Sequence, residues 1–418
     1  MALVLAPLFA GTALFGFNAT VLTLVNNGLG DAIGAVKEHR AASLTGAPAP
    51  FEHSYSEISA LDGLVAGMVL YFSALVDAAP SANVLLFYVW GMAQFCAAWT
   101  VLVLEGRRNG NKGRAVAWVS VMGVMFQNLS WTFTAPLYLA LHLLTSPVAS
   151  LKKSDDAAAK RKALLVRENW DLTVLPLSVV LAFVVPAVLM SFPEFFGHDA
   201  KTHYLWLAFW QPFPLWNVWL IFAFTAVSKA LFGNETVAKN ESERFSVAAA
   251  KQYLASVHGV YVFALLLCVA THVPILVLTL LPLESRASLL SSLPRSLTKL
   301  VNLSSILDAN VSFVNTFVPF PWYAAPVIGG TNYAPGDLAP LAVHFIHYDF
   351  YCGTIPFLVW AMYLHQRMVN NDTLISLLGK TVVWTVVGGP AAAATVLLWE
   401  RDGVVLEGGD ASESQKTK

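Results

Sequence analysis

Charge is scarce in this chain. Only 12% of its 418 residues are Asp, Glu, Lys or Arg, while 56% are hydrophobic; soluble domains carry roughly 25% charged residues. The net charge of −1 lacks the basic signal of a nucleic-acid binder, so no nucleic-acid partner is expected. Cysteine is scarcer still. Cys96, Cys268 and Cys352 stand far apart, each inside an apolar run, which excludes a disulfide framework and a metal-ligand spacing. No stretch has the alternating ten-residue rhythm of a transmembrane β-barrel. Catalytic signatures are missing as well: there is no P-loop, HExxH or GxSxG. No DDxxD or NDxxDxxxD motif is there to hold magnesium and a diphosphate. Asp155 and Asp156 stand in a basic loop without the third carboxylate. That argues against prenyl transfer and against diphosphate-ionising cyclases. No metal or other cofactor is expected.

What the chain has is apolar runs of roughly 20 residues, the length of a bilayer crossing. They predict an all-α, polytopic helical membrane bundle with eight or nine spans. The runs lie at 1–25, 58–76, 83–105, 114–145, 172–190, 203–231, 252–281, 341–365 and 374–399. The first lacks a positive leading region and a clear cleavage site, so it reads as an uncleaved helix. Pro136 is expected to kink the long fourth run, and Pro212 and Pro214 to break the sixth in mid-membrane. Between runs, 31–42 and 287–301 read as surface helices, and 148–170 as a solvated charged loop. Residues 1–399 form one membrane domain, and 400–418 a polar, disordered tail. Lys and Arg are too evenly spread over the loops to orient the chain.

Within these runs, carboxylates stand out. One inside a membrane helix costs roughly 2.5–3.5 kcal/mol on insertion scales. Asp62 and Asp77 lie near opposite ends of the second run, and Glu105 ends the third, on the same face as Gln94. Arg107, Arg108, Lys112 and Arg114 follow as a headgroup anchor. Asp349 is the deepest acid, in HFIHYDFYCG at 344–353, where His344, Tyr348 and Tyr351 share the adjacent face. Lys380 is its candidate salt partner. Gln127, Trp131 and Tyr138 face one way, an amide followed by rings. Trp210 and Gln211 open the Pro-broken WQPFP at 210–214.

A carboxyl group in a low-dielectric site can stay protonated near neutral pH. Such an acid can protonate an alkene or epoxide. Aromatic faces can stabilise the resulting cation, and exclusion of water prevents its early quenching. The same residues also suit helix–helix hydrogen bonds, a small-molecule transporter or channel, or a receptor-like membrane protein without catalysis.

The runs LVDAAP at 75–80, LEGRRNGNKGR at 104–114, QN at 127–128 with APLYLALHLLTSP to 147, WQPFP at 210–214 and HYDFYCG at 347–353 together resemble a fungal family. It is the membrane-bound terpene cyclases of meroterpenoid pathways, of the ascofuranone and macrophorin type, and the likeness covers about residues 55–365. The resemblance implies a secondary-metabolism isomerase in the endoplasmic reticulum membrane. It would cyclise a farnesylated phenol or cyclohexenone by protonating a terminal alkene or epoxide, beside membrane lipid and other enzymes of the pathway. The family's acids fall on Asp62, Asp77, Glu105 and Asp349. Asp349, Glu105 and Asp62 are the catalytic candidates. Trp131, Trp210 and Tyr348, with Gln94, Gln127 and Gln211, are the candidates for the substrate. EGRRNGNKG is less basic than the family pattern, and Ala78 and Ala79 stand where a glycine is expected after Asp77, which bears on the turns there.

Overall fold

In a membrane, backbone polar groups have to find partners within the chain, so apolar runs of this length become helices. The computed structural model describes residues 2–56, 58–233, 241–292, 306–329, 333–370 and 372–406. Its main helices are α1 (Ala2–Asn26), α2 (Ser59–Val76), α3 (Ala82–Gly106), α4 (Val119–Leu129), α5 (Trp131–Thr145) and α6 (Asn169–Ser191). They continue with α7 (Ala200–Trp210), α8 (Phe213–Phe232), α9 (Val247–Leu280), α10 (Ala339–Met368), α11 (Leu374–Gly388) and α12 (Pro390–Asp402). No strand occurs among the described residues.

Six helices among the described residues, α1, α2, α3, α6, α8 and α9, are long and apolar enough to cross a membrane. That is fewer than the eight or nine expected. The fourth and ninth runs are each divided into two short helices. The eighth, α10, has the length, but His344, His347, Asp349, His365 and Arg367 make it more polar.

The centre of the bundle is α3, whose residues from Cys96 to Gly106 are all buried. A helix apolar on every side belongs inside, and α6, α9, α10 and α12 pack around it. Ala391–Ala394 of α12 are fully buried, and small residues of this kind let helices approach closely. On the other flank α5 lies against α1 and α10. Gly353 of α10 is required there, because a Cβ would stand 2.0 Å from the Trp131 ring.

Several local expectations change. The helix expected at 31–42 is Leu29–Lys37, and it is buried along Leu29, Ala32 and Val36 rather than lying on the surface. The one expected at 287–301 forms as Leu283–Ser291, while residues 293–305 lie outside the described residues. The charged loop contains a helix, Ala157–Leu164, whose Ala163 and Leu164 are buried. The polar tail begins later than residue 400, because α12 runs to Asp402 and a helical turn to Leu406. Arg401 and Asp402 are fully buried, and residues 407–418 lie outside the described residues.

Three breaks in the long runs shape the interior. The first is at Ser130, not at Pro136, which sits inside α5. Ser130 has φ 71° and ψ 152°, a region almost reserved for glycine, and such a residue stores of order 1–3 kcal/mol. The second is at Gln211–Pro212, as the prolines predict. The third is at Gly389, where φ is 86°. There Gln94 bridges the break from α3: its Nε2 donates to the Gly388 carbonyl (2.8 Å) and its Oε1 accepts from the Ala391 N–H (3.1 Å).

Candidate active site

Leu61, Leu64, Val65 and Met68 recur along α2 at helical spacing, so one face of that helix presents an apolar stripe. The stripe lines a cavity of about 840 Å³. Val124, Gln127 and Asn128 of α4 form its second wall. Leu205, Trp206 and Phe209 of α7 form the third, and Pro212, Leu215 and Trp216 beyond the break complete it. Tyr55, Ser56 and Thr202 add polar groups, and among the described residues no charged side chain takes part in the lining. Leu61, Leu64, Leu205 and Phe209 are also exposed, so the cavity's rim is apolar. The volume falls in the range of roughly 300–1,000 Å³ typical of ligand sites.

Gln211 is 3% exposed. Its Nε2 donates to the Leu207 carbonyl (3.1 Å), while among the described residues its Oε1 has no partner. The Nε2 of Gln127 has none either. The Trp210 Nε1–H is a third buried polar group without a partner.

From Trp210 an aromatic wall runs inward. Ring centroids lie 5.1 Å apart for Phe72–Trp210, 5.2 Å for Phe183–Trp210, 4.7 Å for Phe183–Phe213, 5.8 Å for Phe95–Phe183 and 5.0 Å for Phe95–Trp131. The wall ends at Trp131, the first residue after the Ser130 break. Asp349 lies there, and the Thr132 N–H donates to its Oδ1 (2.8 Å). This N–H is one of the orphan donors at the start of α5, so Asp349 caps the broken helix from α10. Ser130 Oγ lies beside the carboxyl group but off hydrogen-bond geometry. Among the described residues no cation pairs with Asp349, and the Trp131 backbone N–H lies beside its carboxyl group as well. Tyr71 and Cys352 are its other close neighbours. One turn away on its face, Cys352 and Gly353 are buried, yet Asp349 itself is only half-buried.

The other acids are engaged elsewhere. Glu105 belongs to a buried cluster of four charges. Arg108 Nε donates to Glu105 Oε1 (2.9 Å) and its Nη2 to Asp402 Oδ2 (2.8 Å). Arg401 Nη2 donates to Glu105 Oε1 (2.5 Å) and to Asp402 Oδ1 (2.9 Å). The Tyr253 and Tyr261 hydroxyls donate to Asp402 Oδ2 (2.5 and 2.8 Å). All four charged side chains have zero exposure. Arg108 is therefore no headgroup anchor, and Arg107 turns inward to pair with Asp171. Only Lys112 and Arg114 of that turn are exposed.

Asp62 accepts from the Tyr55 and Ser56 N–H groups (3.1 and 2.8 Å) and from Ser56 Oγ (2.7 Å). It thereby holds the segment that carries two lining residues. Asp77 meets His203 Nε2 at 2.9 Å. The polar lining expected to join Glu105, Gln94 and Asp62 to Asp349 does not form. Gln94 closes the Gly389 break, and Tyr348 points to the Phe320 carbonyl (2.9 Å). Lys380 does not reach Asp349; it pairs with Asp372 (3.1 Å) and Glu400 (2.8 Å). With His365 those two acids make the one cluster of metal-ligand type among the described residues, and the Lys380 ammonium already supplies its positive charge.

Of the residues singled out from sequence, Gln127 and Gln211 line the cavity, while Trp210 and Trp131 stand at the two ends of the run of packed rings and Asp349 lies beyond Trp131, outside the lining. Sequence reasoning missed Ser130, Thr132, Tyr71, Phe72 and Phe183. A serine between two short helices, or a phenylalanine in an apolar run, carries no signal by itself.

A model of the CtvD domain matches residues 3–406. The chain is 26% identical over 327 residues to terpene cyclase ascI of Acremonium egyptiacum, covering 76% of this chain and 72% of that protein. It is 22% identical to terpene cyclase ctvD of Aspergillus terreus, over 92% of this chain and 93% of that one. To terpene cyclase sdgD of Emericella nidulans it is 23% identical, over 88% and 86%. No solved structure matches significantly.

Proposed function

Because the chain belongs to the CtvD-domain family, we propose that it is a terpene cyclase, bound in the endoplasmic reticulum membrane and working without a metal. The substrate is a farnesylated phenol or cyclohexenone, whose terpenoid chain enters the cavity from the lipid side. The observation that carries the mechanism is Asp349. It is a carboxyl group without a counter-ion among the described residues, held through one oxygen by the Thr132 N–H, at the end of a run of packed rings.

In this reading Asp349 gives its proton to the terminal alkene or epoxide. Positive charge then moves along the folded chain as each internal double bond closes a ring. The faces of Trp131 and Trp210 stabilise it through their quadrupoles. The apolar lining keeps water from ending the cascade early. Loss of a proton from the last cation, or capture by a hydroxyl of the substrate with loss of that proton, ends the cascade, and a proton returned through water to the Asp349 carboxylate restores the acid. The product is an isomer of the substrate. Glu105 balances Arg108 and Arg401 and takes no part in proton transfer. Asp62 holds the segment at the cavity's edge.

Asp349→Asn tests this cleanly. Asparagine keeps an acceptor for the Thr132 N–H, so the helix stays capped while the proton is lost. In microsomes fed a farnesylated phenol and its terminal epoxide, the wild type is expected to give a product of unchanged mass and shifted retention. In the variant, kcat/KM falls by about 10²–10⁴. Full cyclisation by Asp349→Asn would remove Asp349 as the acid.

A further inference from the structure

We infer that Gln211 recognises a hydroxyl group on the part of the substrate that is not cyclised. The inference rests on the cyclase reading for its substrate and on Gln211 for its chemistry. The amide is oriented by its own bond to the Leu207 carbonyl. Turning it over would set Oε1 against another acceptor, so the oxygen is the free end. The side chain is 3% exposed and belongs to the cavity's lining, and among the described residues its oxygen has no donor. Buried acceptors are rarely left so, because a missing hydrogen bond forfeits what water once supplied.

The ligand therefore has to bring a donor. Gln127 Nε2, in the lining of the same cavity and also without a partner, needs an acceptor. A hydroxyl meets either need, donating to the one or accepting from the other. A ketone or an ether leaves Gln211 unpaired. A carboxylate or phosphate would enter a lining that, among the described residues, holds no charged side chain, where an unpaired charge is strongly disfavoured. The position has a local origin. Gln211 ends the helical run before Pro212, so its side chain turns back on Leu207 at the cavity wall.

The test compares a farnesylated phenol with its methyl ether, using purified protein in detergent. Equilibrium binding is measured by quenching of tryptophan fluorescence, and turnover is measured separately. The wild type is expected to bind the phenol at least about tenfold more tightly than the ether, the usual scale for a site built to bond a hydroxyl. Gln211→Met, of similar length, is expected to bind the two compounds alike. Gln127→Leu is expected to weaken the preference. Equal binding of phenol and ether by the wild type would overturn the assignment, even if no variant folds. So would a Gln211→Met protein that keeps the preference. Binding with the expected preference but no cyclised product would uphold Gln211 and sink the cyclase reading instead.

Discussion

Asp349, Glu105 and Asp62 are chemically near-identical, and only their surroundings separate them. Asp349 accepts from the Thr132 N–H and, among the described residues, meets no cation. Asp62 is tied to a neighbouring segment by Ser54, Tyr55 and Ser56. Glu105 faces two arginines, one of them 296 residues away in sequence. A buried ion cluster contributes little net stability as a whole, but removing one member leaves an uncompensated charge. Glu105→Gln is therefore expected to destabilise the protein by about 3–5 kcal/mol, read as thermal unfolding in detergent. Removing Glu105 and Arg401 together leaves the Arg108–Asp402 pair intact, and should cost less than the two single changes summed. All three acids were legible as costly carboxylates in apolar runs. Which of them is neutralised was not legible, because the partners come from distant parts of the chain.

Among the elements, the helix breaks position the site. The break at Gln211–Pro212 could be read directly, since proline offers no N–H and excludes the preceding turn. The one at Ser130 was expected at Pro136 instead. Pro136 is tolerated within α5, while the real break is held by Asp349, 217 residues away. At φ 71° a β-branched side chain is more strained than serine. Ser130→Val is accordingly expected to lower stability by about 1–3 kcal/mol, whereas Ser130→Gly is not. Gly389→Ala should be similarly harmful, because its Cβ would meet Gln94 Oε1 at 2.5 Å with φ at 86°. Thermal unfolding of the three variants checks both positions. Gln94 shows the same limit: from sequence it is a polar residue on a face shared with Glu105, and in the fold it bonds a break at residues 388–391.

At the scale of the molecule, the end of the chain is part of the core. Arg401 and Asp402 close the charge cluster against α3 and α9, although by composition they open a polar tail. A chain ending at Trp399 loses both, along with the bonds from Tyr253 and Tyr261. It is expected not to accumulate in membranes. Full accumulation of that truncated chain, measured as protein in the membrane fraction, would contradict a structural role for the cluster.

Composition alone determined that the chain is helical and built from apolar runs, because a backbone without water has to bond to itself. Proline placed one break, whereas the helical spacing that puts Gln127 and Trp131 on one face is interrupted at Ser130. The sequence also marked Asp349 as an acid in need of a reason. Only the tertiary structure decided that Glu105 is neutralised, that Gln94 and Asp349 serve helix breaks, and that Gln127 and Gln211 line one cavity. The reason is physical. Backbone hydrogen bonding and hydrophobicity act over a few neighbouring residues and leave a local pattern. Ion pairs and bonds across a break depend on which distant segments meet, and no local pattern records that.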